Sequence, residues 1–357
     1  MKNPIRFAFV TRHLNRSGYS CLKSLIDEGL SPQAIIVSSQ RPALALKYLR
    51  PFVLLIYKLK CCYYRCPPLR MLLSEELLAI KHDIKVIAVD SLKTEASYNK
   101  ILQLDLDLLV VAGGWHEKIP LKVLEAPAQG SINVHPSLLP EFRGTSITRW
   151  QVLHGVSTSG VTIHQMDGEY DSGANIAQSI IKAPHNTNPQ QLFQILAEKS
   201  APLLIKVIRD IASGCATSCE FHRPNKTYQH YYAKWSWDST SLTVDPADNL
   251  LSIGRKILAA TQESFEYPGI VLRLNGQKFL VREVEIAPRR YHDSEFPDKC
   301  DKIFIEKDML FWERAGESKS LIIKRIQPWQ LYFLRRSDVP GKWIDSNSRI
   351  LISSASH

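Results

Sequence analysis

Blocks of apolar residues, alternating with amphipathic stretches, set the reading of the first two hundred positions. "IRFAFV" (5–10) is a β-rich run, apolar residues in "SGYSCLKSLIDEGL" (17–30) recur at helical spacing up to Gly29, and "QAIIVSS" (33–39) is again a strand. "SEELLAIKH", "IKVIAV", "TEASYNKILQL", "LDLLVVAGG" and "GSINVHP" follow as helix, strand, helix, strand and strand. Such an alternation predicts a mostly parallel sheet covered on both faces, with a ligand site at the carboxyl ends of its strands. "SGVTIHQM" (159–166) and "NIAQSIIKA" (175–183) add two strands before a long helical pattern over 188–214. The character then changes. Polar, aromatic "FHRPNKTYQHYYAKWSW" (221–237) reads as a connector, a helix is expected over roughly 246–260, and "GIVLRLNGQKFLVREVEI" gives two strands about an Asn275-Gly276 turn. "KIFIEK", "MLFWER" and "SLIIKRI" complete a set of short strands that predicts a small β-barrel. The expected organisation is a first domain over 1–212, a linker over 213–225, a barrel over 226–331 and a tail over 332–357 that the pattern does not place.

The length of 357 residues and the 45% hydrophobic content support two domains with real cores. A formal charge of +10 and a pI near 9.2 favour acidic partners, whether phosphate-bearing substrates, nucleic acid or an anionic surface. Seven cysteines without paired CxxC spacing fit a reducing compartment better than a disulfide framework. Cys61, Cys62 and Cys66 raise a zinc site, but the reading adopted is no metal. The apolar run at the N-terminus is too short for a signal peptide, so the expected location is the cytoplasm. No dinucleotide GxGxxG follows the first strand, which continues "VTRHLNRSG". Segment 41–70 is both apolar and basic, with seven Lys or Arg and no acidic residue. Its longest uncharged run falls well short of the roughly 20 residues of a membrane span, and it is read as an insertion packed on its own domain, with an amphipathic surface element as the alternative.

"NVHPSLLPEFRG" (133–144) carries the candidate chemistry. Residues i and i+2 of a strand share a face, so Asn133 and His135 present an amide and an imidazole side by side. An amide NH2 can donate to a developing oxyanion, and a neighbouring His can move a proton or share in stabilising that charge. A carboxylate to support the His is offered by "MDGEYDSGAN", through Asp167, Glu169 or Asp171. Spacing alone equally fits an Asn that caps a turn and a His satisfied as an ordinary polar residue.

"SINVHPSLLPEFRG" followed by "SGVTIHQMDGEYDSGANIAQ" resembles the signature of the folate-dependent formyltransferases, which include methionyl-tRNA formyltransferase, glycinamide ribonucleotide transformylase and the nucleotide-sugar N-formyltransferases. The resemblance runs from about Ile5 to Ala212, and more weakly through "YYAKWSWDS", "YPGIVLRLNGQKFLV" and "SLIIKRIQP". It implies an α/β fold class: a Rossmann-like, mostly parallel sheet formyltransferase domain followed by a small, OB-like C-terminal β-barrel. The barrel stands against the purine-pathway enzyme, which lacks one. The implied reaction is formyl transfer from 10-formyltetrahydrofolate, as co-substrate and without a metal, to a primary amine. Asn133, His135 and Asp171 fall on the family's catalytic Asn, His and Asp. The implied folate contacts are Glu117, Lys118 and Ile119, the turn Ser137, Leu138, Leu139 and Pro140, and the loop Asp167, Gly168, Glu169 and Tyr170. His154 and His164 match no catalytic position and are read as structural. Ala174 stands where many relatives carry a second acidic residue, and "GTSITRW" replaces a more usual Pro-containing stretch.

Two acceptors compete. The net charge fits initiator tRNA, whose phosphates dominate such binding. The family's tRNA enzymes, however, carry a polar, Gly- and Arg/Lys-containing loop where this chain has 41–70, and the sequence reading therefore prefers an amino sugar on a nucleotide carrier, with tRNA as the alternative. Arg12, Arg143 and Arg149 are possible phosphate partners or simply surface cations. No transmembrane segment is expected, and the sequence sets no oligomeric state.

Overall fold

A computed structural model describes residues 5–12, 15–38, 75–214, 226–235, 248–261, 270–274, 277–295, 301–328, 340 and 350–354. The segment 41–70 with Cys61, Cys62 and Cys66, most of the linker 213–225 and the Asn275-Gly276 turn lie outside the described residues. The chain forms two compact units, each discontinuous in sequence. The first takes Met1–Gly144, Gly160–Ile181 and Gln194–Tyr231; the second takes Thr145–Ser159, Lys182–Phe193 and Tyr232–His357.

The elements run β1 (Phe7–Thr11), α1 (Arg16–Asp27), β2 (Ala34–Ser38), α2 (Glu75–Lys81), β3 (Lys85–Val89), α3 (Glu95–Leu102), β4 (Leu108–Val111), α4 (Leu121–Leu124), β5 (Ser131–His135), β6 (Arg143–Gly144), α5 (Ile147–His154), β7 (Thr158–Gln165), β8 (Asn175–Lys182) and α6 (Pro189–Ser213). After β9 (Tyr231–Tyr232) come α7 (Leu250–Ala260), β10 (Ile270–Leu274), β11 (Gln277–Pro288), β12 (Lys302–Glu306), β13 (Met309–Glu313), β14 (Lys319–Pro328) and β15 (Ile350–Ser354).

Among the described residues, seven strands form one sheet in the order β3-β2-β1-β4-β5-β7-β8. The pairs β2–β3, β1–β2, β1–β4 and β4–β5 are parallel, and β5–β7 is antiparallel. The central strands β1, β2 and β4 are buried at every position. That is why they read as continuous apolar runs: both faces of a parallel sheet are covered, and each fully buried Val, Ile or Phe contributes about 1.5–3 kcal/mol. The edge strand β3 alternates, with Lys85 and Ala88 exposed. The connecting helices start where the sequence supplies caps. Asn15 accepts the Ser17 and Gly18 N–H groups at 2.9 and 3.0 Å, and Thr94 accepts that of Ser97 at 3.2 Å. Gly18 brings α1 against the end of β1, since a Cβ there would lie 2.1 Å from Thr11 Oγ1.

Helix α5 is absent from the pattern reading for a physical reason. Its buried positions are Ile147, Arg149, Gln151 and Val152, two of them polar, so no apolar stripe marks it. Arg149, a candidate phosphate partner in the sequence, is instead buried, with Nη1 donating to the Ala259 carbonyl at 2.7 Å.

The second unit contains a six-stranded sheet in the order β12-β13-β14-β11-β10-β15. Its pairs are antiparallel, and β11 carries register shifts around Glu283. Helix α7 buries Leu250, Ile253, Gly254, Ile257 and Leu258, one helical face, and packs on β11 and β14. Gly254 permits the close approach: a Cβ would meet Leu321 at 2.6 Å and Ile286 at 2.7 Å. The tail that the pattern left unassigned supplies β15, whose residues Ile350–Ser354 pair with β10. Among the described residues β12 and β15 are not paired with each other, so the expected barrel stands as an antiparallel sheet. Short strands with turn signals fit an open sheet and a closed one alike, because closure depends on long-range pairing. No helix among the described residues is long and apolar enough to cross a membrane.

Candidate active site

The site lies at the carboxyl end of β5, within the first unit. Register places Asn133 opposite His164 and His135 opposite Thr162 on β7. Directly opposed residues of paired strands share a face, so four side chains gather on one side of the sheet: Asn133, His135, Thr162 and His164.

Asp171 reaches this group from the loop between β7 and β8. That loop is wired internally: Asp167 Oδ1 accepts the Glu169 N–H at 3.1 Å and the Ser172 hydroxyl at 2.7 Å. Burial opposes ionisation of Asp167, but these donors outweigh it and hold its carboxyl below the usual range. Gly168 (φ 88°) and Asp171 (φ 50°) adopt the left-handed region, turning the chain back over the strand end. Gly173 lies against the Gln165 carbonyl, 2.0 Å from where a Cβ would be. Gly173→Ala should therefore push the loop off its strand, at a cost of about 1–3 kcal/mol. Calorimetry should record a melting temperature several degrees lower; an unchanged one would show that the loop has slack.

Asp171 Oδ2 accepts the Gly144 N–H at 2.7 Å. Its Oδ1 lies 3.3 Å from His135 Nδ1, 3.5 Å from His164 Nε2 and 3.4 Å from Asn133 Nδ2. Burial raises its pKa, but the two imidazoles and the Gly144 N–H more than offset this and leave the carboxyl at about 2. His135 is also buried, and desolvation lowers its pKa despite the opposing pull of Asp171 and of the Phe142 carbonyl, which lies 2.9 Å from Nε2. The resting ring is thus neutral with its proton on Nε2. A second proton would sit on Nδ1, facing Asp171.

The rest of the motif builds this corner. Arg143 donates from Nε and Nη2 to the Tyr170 carbonyl at 3.0 and 2.7 Å, so its guanidinium braces the Asp171 loop. Tyr228 of the connector stacks on Phe142 at 4.8 Å between centroids, and Tyr231 lies 5.7 Å from Tyr170. Ser137, Leu138 and Leu139 are buried, and Pro140 follows a cis bond at the surface. The turn's polar groups are taken up internally: Ser137 donates to the Glu141 carbonyl, Leu139 N–H to Thr162, Thr162 to the Ser137 carbonyl, and Asn175 and Gln178 to the Leu139 carbonyl. Glu117 accepts from Leu92 N–H at 2.6 Å and Ser91 at 2.9 Å; burial opposes its ionisation, but these bonds hold its carboxyl below the usual range. Ile119 is in the core. Lys118 pairs with Glu169 at 3.0 Å, tying the loop after β4 to the Asp171 loop.

The structure brings Asn133, His135 and Asp171 together, and adds His164, which the sequence reading set aside as structural. Its partner position on β7 becomes visible only with the β5–β7 register. His154 lies on α5 beside Tyr232, with ring centroids 5.6 Å apart.

Residues 73–208 match the formyl transferase family. The chain is 35% identical to the methionyl-tRNA formyltransferase of Syntrophomonas wolfei over 137 residues, which are 38% of this chain and 43% of that protein. It is 26% identical to that of Desulforamulus reducens over 306 residues, 77% of this chain and 89% of the relative. The match to the Lactobacillus acidophilus enzyme, at 29% identity, spans 59% of this chain and 64% of the relative. Among solved structures, an N-formyltransferase from Helicobacter canadensis in complex with folinic acid and dTDP-3-aminofucose shares the fold, with a TM-score of 0.59 at 16% identity over 91% of this chain and all of that one. WlaRD, a sugar 3N-formyl transferase, does so with a TM-score of 0.58 at 15% identity over 92% and 98%. The Asn133, His135 and Asp171 cluster lies inside the segment, residues 73–208, that is similar to the formyl transferase family.

Proposed function

We propose that the protein transfers a formyl group from 10-formyltetrahydrofolate to a primary amine. The observation that carries this is the convergence of Asn133, the neutral His135 and the ionised Asp171 at one strand end. The amine attacks the formyl carbon, the carbonyl oxygen gains charge, and the Asn133 amide donates to it. The nitrogen loses a proton as the new C–N bond forms, and His135 accepts it. Asp171 stabilises the imidazolium so produced, and collapse of the tetrahedral adduct returns the proton to the departing folate nitrogen. No covalent bond to the enzyme is needed.

For the formyl donor, we read the loops 116–120 and 167–171 as the binding edge. Tyr170 and Leu121 are both exposed there, an aromatic and an apolar surface suited to a flat heterocycle, and Lys118 supplies a cation. Ser137, Leu138 and Leu139 would act as the rigid floor beneath it. The second unit we read as the small OB-like domain that accompanies the catalytic one.

Among acceptors, methionyl-tRNA is the better supported. The three curated relatives described above are methionyl-tRNA formyltransferases, one of them aligned over 77% of this chain, and the net charge of +10 suits a phosphate-rich partner. The sequence preference for a nucleotide-linked amino sugar rested on segment 41–70, which lies outside the described residues. That second reading keeps one supporting observation, the fold likeness to sugar N-formyltransferases over more than nine-tenths of the chain. An assay with 10-formyltetrahydrofolate, charged initiator tRNA and a panel of nucleotide-linked amino sugars separates them. Formylation of the tRNA alone, steeply weakened by salt, is expected; turnover of a sugar alone overturns that acceptor, and turnover of neither overturns both.

A further inference from the structure

Asn133 can serve an oxyanion only if its NH2 group, rather than its carbonyl oxygen, faces the reacting atoms, and the two ends of a carboxamide have nearly the same shape. The neighbours decide which end is which. Asp171 Oδ1 lies 3.4 Å from Asn133 Nδ2; an amide oxygen in that place would oppose a carboxylate. His164 Nε2 lies 3.1 Å from the same amide nitrogen, so this ring nitrogen must accept and therefore carries no proton. The other ring nitrogen, His164 Nδ1, is 2.7 Å from the Gln165 carbonyl, which only accepts, so Nδ1 carries the proton. Contacts on opposite sides of the ring thus assign the same tautomer.

Resting on the formyl-transfer reading, we propose that His164 is a positioning residue for Asn133. Its bare Nε2 takes one amide hydrogen and thereby presents the other towards Asp171 and His135, where the oxyanion forms. The presented hydrogen has only the 3.4 Å contact to Asp171, long for a hydrogen bond, and is readily given up to an incoming oxygen. The geometry is held rigidly: the His164 side chain is 2% exposed, anchored to its own strand through Gln165 and directly opposite Asn133 in the β5–β7 register. A proton on Nε2 would face Asp171 Oδ1 at 3.5 Å, but it would set donor against donor at Asn133, where the contact is the shorter one, at 3.1 Å.

Two measurements on the full chain test this. Long-range ¹H–¹⁵N correlation of the histidine rings, with the His164 signals assigned by their loss in His164→Gln, should show Nδ1 protonated and Nε2 bare at neutral pH. An Nε2–H tautomer or a doubly protonated ring overturns the assignment, whether or not the protein transfers a formyl group. In kinetics, His164→Leu removes the acceptor, whereas the Oε1 of His164→Gln can stand where Nε2 stood. His164→Leu should lower kcat by about tenfold or more with the KM for the formyl donor within about twofold, and His164→Gln should recover to within about threefold of the parent. Equal losses in both variants, or an unchanged kcat in His164→Leu, would leave His164 a packing residue. If the parent transfers no formyl group to any acceptor, the activity reading fails while the tautomer still decides the hydrogen-bond assignment.

Discussion

Asp171→Asn is expected to lower turnover by about 10²- to 10⁴-fold, equivalent to roughly 3–5 kcal/mol of transition-state stabilisation, while donor affinity changes by no more than about threefold. The substitution is nearly isosteric, and the left-handed backbone at this position, φ 50°, is one that Asn tolerates as well as Asp. The amide oxygen can still accept the Gly144 N–H that now binds Oδ2 at 2.7 Å. That orientation turns the new NH2 group towards His135 Nδ1, which Oδ1 faces at 3.3 Å in the parent. A donor there bonds to the neutral ring and opposes the charged one, so the imidazolium formed as the amine is deprotonated loses its support. A carboxyl at about 2 is ionised throughout the neutral range, so this support is always present in the parent. Steady-state kinetics and donor titration separate the two quantities; comparable losses in kcat and in donor affinity would place Asp171 in binding rather than in the proton path.

The parts of this site that could be read from the sequence are those set by local periodicity. Asn133 and His135 lie two apart on a strand, and a period of two puts them on one face with no knowledge of the fold. Asp171 required the family signature, because a loop's path over a strand end is not encoded in any repeat. His164 stayed hidden although it lies on a strand that the pattern located: its neighbour is fixed by the antiparallel register of β5 and β7, a long-range choice. The Arg143-Gly144 pair was visible as residues but not as a device, since its partners, the Tyr170 carbonyl and the Asp171 carboxylate, are 27 positions away.

The same distinction runs through the fold. Strands β1, β2 and β4 announced themselves because both faces are buried, and α7 because Leu250, Ile253, Ile257 and Leu258 form one stripe. Helix α5 was missed because Arg149 and Gln151 occupy buried positions, where their polar groups find partners that a sequence does not show. Strand β15 was missed because its partner, β10, lies some eighty residues earlier, and a short apolar run at the end of a chain carries no signal of its own.

His135 makes the second large prediction, and its sign follows from burial. Desolvation is the first cause of its shift and lowers the pKa below 6.5, with Asp171 and the Phe142 carbonyl recovering only part of the loss. The ring must be neutral to take a proton from the amine, so kcat should rise with pH through a value below 6.5 and level off before neutrality. Stability should follow the same direction. Between the lowered value and 6.5 the unfolded chain binds a proton that the folded one does not, so the His135 contribution is complete above 6.5 and declines as the pH falls through the folded value. Asp171 adds nothing in that window; its contribution is present above 3.8 and is lost only as the pH falls towards 2. His135→Gln can keep a donor towards the Phe142 carbonyl but cannot accept the proton, and it should lose about 10²- to 10⁴-fold in turnover together with this acid limb. Rate profiles of both proteins, with urea unfolding at pH 5 and pH 7, read these effects directly. An acid limb centred above 6.5, or one that survives unchanged in His135→Gln, would move the proton acceptor away from this residue.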